Sequence, residues 1–250
     1  VLSIIICSID PAKFTAVSRN LAALLGDEPH EIIGVHDAKS LCEGYNRGAA
    51  RASGEWFIFC HDDIEILSAD FRQKLKRHMQ SFDVFGVAGT DRVVNGLWSL
   101  AGPPYIHGQI AHFHPHSNEF DVSLFSAPAR SVGKIQAIDG LFIAARREVV
   151  EKVPFDQETF DGFHAYDTDF TFSAYLAGFR LGVACDIAIL HASVGNPDKV
   201  WQHYMQKFNR KHLCHLYPMP RRAFTVASVR VQTREEVIEV MTPPYWRDSD

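Results

Sequence analysis

No glycine-rich phosphate loop occurs in these 250 residues. Neither G-x-G-x-x-G nor G-x-x-x-x-G-K-[ST] is present, which removes the two common backbone cradles for a nucleotide's phosphates. H-E-x-x-H and G-x-S-x-G are missing too, so zinc-peptidase and serine-hydrolase chemistry have no support. There is no C-x-x-C pair among the five cysteines, Cys7, Cys42, Cys60, Cys185 and Cys214, and their number is odd. Cys7, Cys60 and Cys185 sit in apolar, strand-like runs, where reduced core thiols are expected. No N-x-[ST] sequon appears, and the opening "VLSIIICSID" lacks a basic stretch and is too short for a signal peptide or a membrane span. The chain therefore reads as a reducing, cytoplasmic protein without a transmembrane segment, with work at the inner face of a membrane left open. Net charge is only −5, so no broad basic surface favours nucleic acid as a partner. An anionic substrate would need a metal ion or a local cluster of cations.

What is present is an ordinary globular composition, 46% hydrophobic, in a length suited to one large α/β domain. "LSIIICSI" (Leu2–Ile9) is a β-branched run that fits a strand covered on both faces. A helix is predicted from about Phe14 to Leu25, closed by Gly26, then a strand over "HEIIGVHD" and a helix from about Ser40 to Ala52. "EWFIFCHDD" reads as a third strand. Asp70–Phe82 reads as a helix with Lys74, Lys76, Arg77 and His78 late, as the helix dipole favours. "VFGVAGT" reads as a fourth strand. This alternation predicts a doubly wound, mainly parallel sheet, whose ligands gather at the carboxyl ends of the strands. Asp10, Asp37 and Asp62/Asp63 each lie just past one of the first three strands, so three stretches deliver carboxylates to one edge.

From Asn95 to Val132 the rhythm breaks. Irregular loops with short strands are predicted there, and "HFHPH" (His112, His114, His116) reads as a solvated cluster. A strand resumes through Ile138, followed by an apolar run into a helix at about Glu148. "YDTDF" leads into a helix ending at Gly178. "RLGVACDIAILHAS" is strand-like, and a long helix follows Asn196-Pro197. The tail shows a β-rich patch (Phe224–Val231), a short helix and a Pro-Pro-Tyr-Trp end. Residues 1–220 are expected to form one domain, with 221–250 an extension packed on it.

Each candidate site carries two readings. Asp62 and Asp63 at a strand end either close an Asx turn or hold one hard cation against a diphosphate. Asp167 and Asp169 either cap a helix or, for Asp167, take a proton from a hydroxyl nucleophile. His191 is a sheet-edge histidine or a neutral ligand that suits Mn²⁺ better than Mg²⁺.

Taken together, "SIIICSI", the acid after the second strand, "YNRGAARASGEWFIFCHDDIEI", "DGLFIAARREVV", "FHAYDTDF" and "ILHAS" resemble the nucleotide-sugar glycosyltransferases of the GT-A fold, in particular the family-2-like bacterial group. The resemblance runs from Leu2 to Ser193. It implies a GT-A α/β fold and a hexosyltransferase-like enzyme. That enzyme would use Mn²⁺ or Mg²⁺ with a nucleoside-diphosphate sugar, a UDP-sugar favoured, and act on a glycan or lipid-linked acceptor. It places the strand-end acid motif on Asp62 and Asp63, with Asp63 favoured as ligand and His61 standing where an acid is common. It puts the base on Asp167, although Tyr166 replaces the acid that usually precedes it, and His191 at the place of an added metal ligand. Ser8, Asp10, Asp37 and Asn46 fall near the donor nucleotide, and Asp139, Gly140 and Asp169 near the sugars. Inversion is implied by the resemblance alone. The absence of Q-x-x-R-W points to transfer of a single sugar rather than processive synthesis. The competing readings are a metal-dependent nucleotide-sugar hydrolase or nucleotidyltransferase, and a non-catalytic nucleotide- or sugar-binding domain of the same fold.

Overall fold

Leu2–Cys7 forms β1, buried on both faces as an interior parallel strand must be. Asp10 then caps α1 (Pro11–Leu25): its Oδ1 accepts the Ala12 and Lys13 N–H groups, proline occupies the first turn, and Gly26 at φ 56° ends the helix. β2 (His30–Val35) leads to α2 (Leu41–Arg51), capped by Ser40, and β3 (Trp56–Cys60) leads to a short β4 (Ile64–Ile66) and α3 (Phe71–Ser81). β5 (Val84–Gly86), β6 (Ala88–Thr90), β7 (Ile106–His114), β8 (Glu119–Leu124), β9 (Ser131–Gly133), β10 (Ala137–Ile138) and β11 (Phe142–Arg146) follow. The chain continues through α4 (Arg147–Lys152), α5 (Tyr166–Leu176), β12 (Leu181–Ala184), β13 (Ile189–His191), α6 (Lys199–His212), β14 (Ala227–Val231) and α7 (Arg234–Met241). This computed structural model describes residues 1–126, 129–193, 199–221 and 224–242. The Asn196-Pro197 helix start and the Pro-Pro-Tyr-Trp end lie outside them.

Two sheets result. The first has the order β2-β1-β3-β11-β5-β12-β9, and the second β10-β6-β7-β13-β4, with β8 on β7 and β14 on β8. β1 pairs parallel with β2 and β3, giving the expected doubly wound half. β11, however, runs antiparallel to both β3 and β5, so the sheet is mixed. "VFGVAGT" is two strands in different sheets, parting at Val87. The stretch predicted to be irregular holds the nine-residue β7, paired with β6, β8 and β13. Partner strands supply its ladder, so a segment with three histidines, a glycine and a glutamine extends against its own weak propensity.

One large core fills the space around the first sheet. A smaller one joins Ala111, Phe120, Val122 and Leu190 to Val237 and Met241 of α7. The described part of the tail thus packs on the second sheet. Gln109 Nε2 donates to the Met241 carbonyl at 2.6 Å, and a Thr233–Glu236 capping box starts α7. Among the described residues no helix is long and apolar enough to cross a membrane.

Candidate active site

β3 ends at Cys60, and His61, Asp62 and Asp63 follow before β4. Asp62 and Asp63 form the turn between the two strands, where successive side chains can point in different directions. The acids part accordingly. Asp62 turns toward β1, where its Oδ2 accepts the Ser8 hydroxyl at 2.6 Å. His61 and Asp63 turn toward β13 and meet His191. His191 Nε2 lies 3.2 Å from Asp63 Oδ1 and 3.2 Å from His61 Nδ1, while His61 Nδ1 and Asp63 Oδ1 are 3.9 Å apart. Ser193 Oγ is also 3.2 Å from His191 Nε2. One ring nitrogen cannot satisfy three polar neighbours at once.

A divalent cation suits this donor set. Two ligands at right angles on bonds of about 2.1 Å lie about 3 Å apart, close to the observed spacings. The donors also have the right charge states. Burial, with His191 beside it, lowers the His61 pKa and keeps the ring neutral. Burial alone would raise the Asp63 carboxyl, but the hydrogen bond and charge of His191, with Ser193 and His61, hold it well below the usual carboxylate range. His61 Nε2 is 2.7 Å from the Tyr166 hydroxyl. An Nε2–H donating there leaves the Nδ1 lone pair facing Asp63 and His191.

Tyr166 opens α5 and so ties this cluster to the helix that carries Asp167. Ala165, at φ 61°, turns the chain immediately before it. Gly140 permits the approach: a Cβ there would collide with the Tyr166 hydroxyl. The Gly140 N–H donates to Asp167 Oδ2 at 2.9 Å. Asp139 is held beside them by the Trp98 indole N–H at 2.7 Å and the Leu141 N–H at 2.9 Å. Burial and then the Asp139 charge push the Asp167 carboxyl up to about 7, against the opposing pull of the Thr168 and Gly140 amides.

The other sequence-predicted positions are placed differently. Asp169 is buried away from the cleft, 2.9 Å from Lys211 Nζ and 2.7 Å from His212 Nε2. Asn46 clamps the backbone of Phe155, donating to its carbonyl at 2.8 Å and accepting its N–H at 3.1 Å, and so holds a loop. Asp10 is the α1 cap. Asp37 is exposed at the end of β2 and pairs with Arg47 at 2.8 Å, whose hydrogen bond lowers its carboxyl pKa. Three participants were not singled out from the sequence: His61 as part of the cluster, Tyr166 behind it and Trp98 behind Asp139. For His61 the signal existed, since it and Asp63 stand two apart at a strand end. For Trp98 there was none, because it comes from the stretch read as loops. His112, read as solvated, is half-buried on β7 with its ring centroid 5.5 Å from that of His191.

Residues 3–215 match the model of the family described as "Glycosyltransferase like family". The chain belongs to that family. Solved structures agree on the fold of this glycosyltransferase domain. The mannosyltransferase PcManGT from Pyrobaculum calidifontis, in complex with GDP-Man and Mn²⁺, is 11% identical with a TM-score of 0.53, over 88% of this chain and 65% of that one. GalNAc-T7 with UDP, GalNAc and Mn²⁺ is 10% identical with a TM-score of 0.51, over 83% of this chain and 47% of that one. TarS from S. aureus in complex with UDP is 13% identical with a TM-score of 0.49, over 81% of this chain and 62% of that one. The domain thus spans less than two thirds of the length of each. No curated protein matches it. The first two likenesses establish the GT-A architecture, mixed sheets flanked by helices.

Proposed function

We propose that this domain transfers a single sugar from a nucleoside-diphosphate sugar, a UDP-sugar in preference, to a hydroxyl of a glycan or lipid-linked acceptor. Transfer proceeds with inversion and depends on Mn²⁺ or Mg²⁺. The observation that carries the reading is the convergence of His61, Asp63 and His191 within 4.8 Å of one another, beside the buried, raised-pKa carboxyl of Asp167. The complexes of PcManGT with GDP-Man and Mn²⁺, and of GalNAc-T7 with UDP, GalNAc and Mn²⁺, support it by analogy.

His61, Asp63 and His191 would hold the cation. When bound, it would supply positive charge against the departing nucleoside diphosphate. Tyr166 orients His61. Asp62, fixed by Ser8, lines the donor side with Asp10 and Asp37 beyond it, and Asp139 and Gly140 floor the sugar site. Asp167 takes the proton of the acceptor hydroxyl as its oxygen bonds to the anomeric carbon, on the face opposite the departing phosphate oxygen. A pKa near 7 suits a base that must be ionised before reaction and accept a proton during it. Two imidazoles make the set softer than Mg²⁺ prefers, so Mn²⁺ is the better fit.

The test is thermal denaturation with UDP and with GDP, each with and without Mn²⁺. A nucleotide at a hundredfold excess over its Kd stabilises by about 2.7 kcal/mol, and the added stabilisation from Mn²⁺ should vanish in Asp63→Ala. An unchanged metal-dependent shift in that variant removes Asp63 from the site.

A further inference from the structure

Strand pairing lays four polar side chains in a row that begins at the metal cluster. His191 of β13 is in register with His112 of β7, His112 with Asp121 of β8, and Asp121 with Arg230 of β14. In-register residues share a face of a sheet, so all four project to the same side. Farther along that face, Ile110 and Ile189 belong to the large core. The face therefore changes from core to cleft within two residues, from Ile110 to His112 and from Ile189 to His191. His114 and Glu119 continue the polar end. The apolar partners of these strands, Ala111, Phe120, Val122 and Leu190, point the other way and pack with α7.

Beyond His191, this row takes no part in the donor chemistry described above. Among the described residues, no hydrogen bond satisfies the buried Oδ1 of Asp121. An unpaired buried carboxylate oxygen is costly, and because Asp121 as a whole is only half-buried, a small turn of the side chain would bring that oxygen to an approaching hydroxyl. Asp121 stands two strand spacings, about 10 Å, from His191. His112 lies between His191 and Asp121, in register with both and with its ring centroid 5.5 Å from that of His191.

We propose that the polar end of the β7–β8–β14 face is the acceptor subsite, and that it takes a neutral, hydroxyl-rich acceptor, the saccharide end of a glycan. The inference rests on the glycosyl-transfer reading. The chemistry selects this class. The face alternates acceptors (Asp121, Glu119) with donors (Arg230, the imidazole of His112), and a sugar hydroxyl both gives and receives. Two carboxylates oppose a phosphorylated acceptor, and the one arginine is already 3.7 Å from Glu119. Phe120 and Phe113 are in register on the opposite face, so this row offers no aromatic plate for a flat acceptor.

The test uses the full chain with UDP and Mn²⁺ bound, titrated onto an array of neutral di- and trisaccharides and their phosphorylated counterparts. Neutral saccharides should bind. Asp121→Ala should weaken that binding by about 10-fold or more while UDP–Mn²⁺ affinity stays unchanged. Arg230→Ala, on an exposed edge strand where folding is not at risk, should weaken trisaccharides more than disaccharides. Unchanged saccharide binding in both variants overturns the proposal. So does a preference for phosphorylated glycans, or no saccharide bound while UDP and Mn²⁺ are in place. Failure of UDP and Mn²⁺ to bind the wild-type chain would instead strike the glycosyl-transfer reading and take the proposal with it.

Discussion

Asp167, the base of the proposed transfer, would be prepared for that chemistry at the expense of the fold. Its carboxyl titrates near the ordinary aspartate value when unfolded and is pushed up to about 7 when folded, first by burial and then by Asp139. Between about pH 4 and pH 7 the native state thus holds the extra proton, and stability falls as pH rises through that window. Without metal, Asp167→Asn should therefore melt above wild type at pH 8 and show no such gain at pH 4. The same substitution should cut sugar transfer by about 10²–10⁴-fold with UDP–Mn²⁺ affinity intact, and wild-type turnover should climb with pH through about 7. Tyr166 is the second residue with a sharp expectation. Tyr166→Phe keeps the ring and loses the hydroxyl that faces His61. Calorimetry should show Mn²⁺ affinity falling about 10-fold, and excess Mn²⁺ should restore much of the lost rate. Equal Mn²⁺ affinity in that variant would mean that His61 needs no such support.

Helix α5 separates two acids that look alike in sequence. Asp167 and Asp169 are two residues apart, about 200° around the axis. One therefore faces the cleft and the other the interior, where it meets Lys211 and His212 of α6. Asp169, expected to serve mainly as a cap, instead joins an ion-pair cluster between helices. Asp169→Asn should cost about 3 kcal/mol in a denaturant melt and leave Mn²⁺ and UDP affinity unchanged. Much of this was legible where local chemistry dictates the element: Gly26 ends α1 and Ser40 starts α2 as expected, although α1 begins at Pro11, capped by Asp10, and not near Phe14. β7 was not legible. Its Gly, His and Gln residues carry little strand preference, and what extends them is the ladder with β6, β8 and β13. The direction of β11 was equally hidden, because an apolar strand reads the same whichever way its neighbours run.

At the scale of the whole molecule, the rhythm of strands and helices pointed to the right fold family, but the division into two sheets had no signature. That division decides where the cluster sits. His61 follows β3 of the first sheet, while His191 closes β13 of the second, and Asp63 lies on the turn that joins β3 to β4. An ion gripped by all three would act as a rivet across the seam between the sheets. Its grip should be visible far from any ligand atom. Adding Mn²⁺ with UDP should slow amide exchange in β4, β13 and the neighbouring β7, whereas the deep strands β1 and β3 keep the protection set by global unfolding. Chelation should reverse this without altering the exchange of β1, so that the seam frays while the interior stays shut.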